Sequence, residues 1–229
     1  ANAAYFGQKN SISTVREAII RVLGINMVKS MALSIAVSGV FQTNSCSGFD
    51  AQEYWFNAIG CATLSRMMAL RIPAGERPDP DMVYLGGLLH NLGCLVLAHV
   101  FPSKLSHVMA LKADNPNANL EELQQEYLGV DWVSAGEWLV SRWHLPGFVG
   151  EAMRSVADDE TPSDRYDIAM IRCAVKWIAS NPENESGRSS LKQCCELESI
   201  PGLSDDALDI IEVKFFDQCE ELHALAACL

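Results

Sequence analysis

Basic residues are scarce in this sequence: Lys and Arg total 17 against 29 Asp and Glu, a formal net charge of -12. A field of that sign repels phosphate backbones and anionic lipid, which argues against nonspecific nucleic-acid binding and against attachment to a membrane surface. Arg66, Arg71 and Arg77 lie close together, but arginines closing a helix favour its dipole and read as a solvated face. An uninterrupted apolar run of about 20 residues, the length a membrane span needs, is missing. So is strict apolar/polar alternation between turn signals, which excludes a strand-rich fold. No Gly-rich phosphate loop and no GxSxG elbow occurs, so nothing points to a nucleotide cradle or a serine nucleophile. None of the eight cysteines, at 46, 61, 94, 173, 194, 195, 219 and 228, forms a CxxC pair. The chain opens without a basic, apolar leader, and the expectation is a cytoplasmic protein with reduced thiols.

What is present is helical periodicity over most of the length, in a chain of 229 residues of which 49% are hydrophobic. Thr14 and Glu17 have capping-box spacing ahead of Val15, Ile19, Val22 and Leu23, and Asn26 caps a second apolar helix reaching to about residue 42. Asp50 and Glu53 open a helix to about residue 72, just before Pro73. Pro80 suits a first helical turn, and the spacing predicts one helix over 81–100. Shorter helices are predicted over 103–114, 119–128, 131–143 and 147–157, then over 164–180, 191–198 and 204–227, with the polar loop at 181–190 the best candidate for disorder. The short loops favour an all-α, compact multi-helix bundle forming a single domain over 1–229.

The stretch GGLLHNLGCLVLAHVF at 86–101 carries the most chemistry, because it sets His90 and Asn91 in an apolar helix. A helical His followed by a carboxylate suits a divalent metal; here an amide stands in the second position, a poor ligand with no charge. A working site also needs at least three protein ligands and a place for water. His90 and Cys94, spaced i, i+4, are a second candidate pair for a soft metal, but the leucines around them favour a satisfied buried pair. His99, His107 and His144 sit at predicted helix ends without convincing partners. Gly86 and Gly87 read as a place of close packing, and Trp132, Trp138 and Trp143 as core or interface rather than base-stacking residues.

With these residues in view the sequence resembles the HDOD domains, helical relatives of the HD-superfamily metal-dependent phosphohydrolases and of the HD-GYP phosphodiesterases. The resemblance rests on ANAAYFG at 1–7, ISTVREAIIRVLG at 12–24, YWFNAIGCA at 54–62, GLLHNLG at 87–93 and EYLGVDWVSAGEWLVSRWHLP at 126–146, in the family's order. It covers 1 to about 180, with extra C-terminal helices over 190–229, and implies that the first helices of a complete domain are missing here, either because the sequence is a fragment or because something else replaces them.

The resemblance also locates the positions where active relatives hold metal. Asn57 stands where they have histidine, His90-Asn91 where they have His-Asp, and Trp132 where a histidine usually follows Asp131. Ser155 falls in a segment that often ends in a histidine pair, and Val175 at the place of a late acidic ligand. Only His90 keeps a ligand type. The resemblance therefore implies a fold without the ancestral chemistry: no cofactor, no metal, and a role as a bacterial signal-transduction module acting through a protein partner or a nucleotide-like ligand. The alternative is a metal-dependent phosphohydrolase with an atypical site around His90. The helix at 207–229, with Leu208, Ile211, Phe215, Leu222 and Leu225, fits ordinary packing better than an exposed docking face. The oligomeric state is not legible.

Overall fold

Asp50 opens the first described helix as its spacing predicts: its carboxylate accepts the Glu53 amide proton at 2.9 Å, satisfying one of the free donors of the first turn. This helix, α1 (Ala51–Arg71), is followed by α2 (Pro80–Leu89), α3 (Leu92–Val100), α4 (Pro102–Asp114), α5 (Leu120–Leu128), α6 (Trp132–Arg142) and α7 (Gly147–Ala157). The later elements are α8 (Tyr166–Ala179), α9 (Leu191–Cys195), α10 (Asp205–Phe216) and α11 (Cys219–Ala226). The structure is a computed structural model that describes residues 39–158, 161–180, 190–196, 198 and 200–229. The chain divides into two units, Ala1–Val40 and Phe41–Leu229, and nearly all the described residues belong to the second. The helix expected around Thr14 and most of the one expected from Asn26 lie outside the described residues, as does the loop expected at 181–189. Residues 39–42 are not helical, so the second expected helix does not reach residue 42.

The elements are helical throughout, and no strand occurs among the described residues. Helix α1 is the central one, packed against α2, α8, α10 and α11, and its Trp55, Ile59, Leu64 and Met68 are almost wholly withdrawn from solvent. Its last turn is closed by Arg77, whose Nε donates to the Ile72 carbonyl at 2.9 Å and Nη2 to that of Leu70 at 3.1 Å. Arg66 pairs with Asp81 at 3.5 Å, so these arginines serve helix ends and ion pairs rather than a common basic patch. Gly86 and Gly87 give α2 its close approach to neighbours: a Cβ on Gly87 would lie 2.8 Å from the Ala62 Cα.

Two predicted helices are divided. The segment 81–100 breaks after Leu89, because the His90 ring takes up the Gly87 carbonyl that an unbroken helix would bond through the amide of residue 91. His90 is thus at a joint, not in mid-helix, and His90 and Cys94 do not share one helix face. By composition the stretch Pro80–Val100 is long and apolar enough to cross a membrane, contrary to expectation, yet 61% of its apolar window is buried inside the protein. The segment 204–227 divides at Asp217 and Gln218, and Phe215 and Phe216 both meet Trp177, at 5.1 and 5.5 Å between ring centroids. Leu208, Ile211, Phe215, Leu222 and Leu225 are all buried, so these helices are core.

Candidate functional site

The six positions fall on five elements: Asn57 on α1, His90 and Asn91 at the α2–α3 joint, Trp132 at the start of α6, Ser155 on α7 and Val175 on α8. His90 is 5% exposed, and its Nδ1 lies 2.7 Å from the Gly87 carbonyl oxygen. Two acceptors do not attract, so Nδ1 carries the proton and donates, which leaves Nε2 as the free lone pair. Burial pulls the ring down to a pKa of about 4, against a smaller upward pull from the Gly87 carbonyl, and the imidazole is neutral at neutral pH. The side-chain oxygen of Asn91 is buried without a hydrogen-bond partner among the described residues, as is the Tyr54 hydroxyl one turn before Asn57.

Trp132 does not present itself as a ligand but ties two helices together. Its Nε1–H donates to Glu121 at 2.7 Å and its backbone N–H to the Gln124 side chain at 2.9 Å. Glu121 in turn raises the Cys94 thiol, which burial has already lifted, to a pKa of about 12. Burial, then Cys94, raises the Tyr54 phenol well above its ordinary value. Tyr54, Cys94, Glu121 and Trp132 therefore form one electrostatic group beside the histidine joint, in which the Tyr54 phenol and the Cys94 thiol keep their protons at neutral pH. The sequence motifs did not single out Tyr54 or Glu121; the Tyr of YWFN, one turn ahead of Asn57, was the available signal.

Ser155 and the helix of Val175 are joined by a residue that sequence reasoning missed, Arg172. Its guanidinium Nη1 donates to the backbone carbonyls of Ser155 and Asp158, and its Nε to Glu198 at 2.5 Å. Both side chains of this ion pair are almost wholly buried, at 2% and 0% exposure. The other Glu198 oxygen accepts the Ser163 amide at 3.2 Å. A protein cation thus stands one turn from Val175 and against the carbonyl of Ser155.

These residues do not fit a bound metal. The six positions offer one imidazole, two neutral amides, a hydroxyl and two side chains with no lone pair for a metal, and no carboxylate balances a divalent charge. Among the described residues no group of three or more His, Cys, Asp and Glu side chains is arranged to hold an ion. The remaining histidines have local partners: His99 accepts the Gln42 amide at 3.1 Å, and His107 meets the Tyr127 ring edge-on at 5.1 Å. His144 closes α6 with a φ of 54°, its amide donating to the Ser141 carbonyl. A surface cleft of about 420 Å³ between α2, α7 and α8, lined by Met82, Phe148 and Arg165, contains none of the six positions.

Fold and site together define a helical domain built around a buried histidine joint. The chain belongs to the HDOD domain family, whose model matches residues 1–158. Among solved structures it is similar over 99% of its length to a candidate signal transduction protein of Marinobacter aquaeolei VT8, with a TM-score of 0.74, 22% identity and 50% of that chain covered. A candidate phosphohydrolase of Shewanella amazonensis SB2B matches over 94% of this chain and 77% of its own, with a TM-score of 0.69 and 20% identity. The response regulator MmoQ of Methylococcus capsulatus strain Bath matches over 92% and 80%, with a TM-score of 0.61 and 22% identity. An uncharacterised protein of Treponema pallidum strain Nichols is 25% identical over 147 residues, 63% of this chain and 27% of that protein. The chain thus spans about a quarter of that curated relative and half of the Marinobacter protein.

Proposed function

We propose that this chain is a non-catalytic regulatory domain of the HDOD type that acts by holding another protein, with a nucleotide-like ligand at the altered site as the second candidate occupant. The observation that carries the reading is the chemistry of the six positions: His90 is their one strong metal-ligand type, and no carboxylate stands among them. Buried Arg172, paired with Glu198, already occupies the carbonyl of Ser155, one of the six positions. The names of the relatives from Marinobacter and Methylococcus, a signal transduction protein and a response regulator, fit a regulatory role. A cytoplasmic setting and no cofactor belong to the same reading, as does the lack of a nucleic-acid partner, which the net charge of -12 supports.

One observation favours the alternative, a metal-dependent phosphohydrolase with an atypical site: the free Nε2 of His90 and the unpartnered Asn91 oxygen are adjacent in sequence. The acidic group nearest to them in the network, Glu121, is already held by the Trp132 indole. Hydrolysis of phosphomonoesters and cyclic dinucleotides in the presence of manganese, iron or zinc separates the readings. The proposal predicts no turnover above that of a His90→Ala control; turnover that this substitution abolishes would favour the alternative.

A further inference from the structure

The cleft between α2, α7 and α8, about 420 Å³ in volume, has an apolar floor and a charged rim. Met82 and Val83 of α2 and the Phe148 ring of α7 make the floor. That ring lies against Gly86, where an added Cβ would come within 2.6 Å of it. The walls are tied together as well: the Tyr166 hydroxyl donates to the Glu76 carbonyl at 2.7 Å, joining the loop before α2 to the start of α8. A cleft held in this way needs little reordering to receive a ligand. The cation of the rim, Arg165, is already matched. Its Nε and Nη2 donate to the two oxygens of Asp167 at 3.2 and 2.7 Å, its Nη1 donates to Glu151 at 2.5 Å, and the guanidinium carbon sits 5.4 Å from the Phe148 centroid. An incoming anion would have to displace two carboxylates from it. Asp79 and Asp164 differ: both are exposed at the rim, and no Lys or Arg pairs with either among the described residues. Asp79 accepts the Asp81 and Met82 amides through one oxygen and keeps its charge.

We infer that this cleft is the surface by which the domain holds its partner, and that the partner is a protein presenting an arginine or lysine with an apolar residue beside it. The inference rests on the protein-holding reading above and gives it a place and a chemistry. The aliphatic stem of the basic side chain lies on Met82 and Phe148, and its charged head reaches the carboxylates of Asp79 and Asp164. The apolar neighbour fills the rest of the floor. The net charge of -12 over the whole chain attracts a basic segment and repels an acidic one, so the wider field and the cleft select the same partner.

The test is an NMR titration of the full chain, labelled in its methionine methyl groups, with the peptide acetyl-Arg-Leu-amide and with its citrulline and glutamate counterparts. The expected result is a saturable shift of the Met82 methyl signal by the arginine peptide, with a Kd on the order of 1 mM. Combining Asp79→Asn with Asp164→Asn should weaken that binding at least about fivefold, while the asparagine at 79 still caps α2. Should this variant fail to fold, the comparison of arginine with citrulline on the wild type decides alone. A Met82 signal that does not move, equal shifts with the citrulline or glutamate peptide, or undiminished affinity in the folded variant would overturn the inference. Each of these results leaves the regulatory reading standing, because that reading falls by the turnover experiment, in which the cleft takes no part.

Discussion

At neutral pH the His90 ring is uncharged, donates from Nδ1 to the Gly87 carbonyl and ends α2; these facts belong together. A protonated ring would keep the same bond but add a charge to a place almost without solvent. The folded-state pKa, about 4, lies below the ordinary 6.5, so the unfolded chain binds the proton first as pH falls. Above pH 6.5 the ring makes no pH-dependent difference; between 6.5 and 4 it costs the folded state stability, about 3 kcal/mol in all. Urea unfolding of the wild type and of His90→Gln across that window measures this: the wild type should lose more stability on acidification by about that amount. Equal pH dependence would mean that the ring is not buried as described. The sequence showed His90 surrounded by leucines and hence buried; it did not show the hydrogen bond that breaks the helix, which depends on which ring nitrogen meets the carbonyl.

Among the elements, the crossing of α3 and α6 is the tightest, and it sets the joint against Trp132. A Cβ on Gly93 would fall 1.7 Å from the Trp132 carbonyl oxygen, which is backbone and cannot swing aside, and one on Gly136 would fall 3.2 Å from the Gly93 nitrogen. Gly93→Ala should therefore separate the helices and destabilise the protein by at least about 3 kcal/mol in thermal or chemical unfolding, whereas a change below about 1 kcal/mol would contradict the close crossing. Helix starts were legible because caps are local: Asp50 accepts the Glu53 amide its spacing predicts, and Asn119, Asp131 and Ser204 cap helices at the predicted starts of 119, 131 and 204. The breaks after Leu89 and Phe216 were not, since apolar periodicity runs through both and the first turns on which ring nitrogen of His90 meets the Gly87 carbonyl. The partner of Arg172 was illegible as well: Glu198 lies 26 residues further along the chain.

For the whole molecule, the all-α class could be read directly, because helical periodicity follows from residue identity. What could not be read is how the altered site is filled. Arg172 and Glu198 place an internal ion pair beside Ser155, and the Tyr54, Cys94, Glu121 and Trp132 group occupies the flank of the histidine joint. The proposed reading, a domain that binds and positions rather than one that hydrolyses, rests on a single imidazole among the six positions. The most direct measurement is the metal content of the full chain after incubation with manganese, iron and zinc and removal of free ion by gel filtration. The account predicts far less than one equivalent of any metal, with no difference between wild type and His90→Ala; one equivalent retained by the wild type and lost with His90 would contradict it.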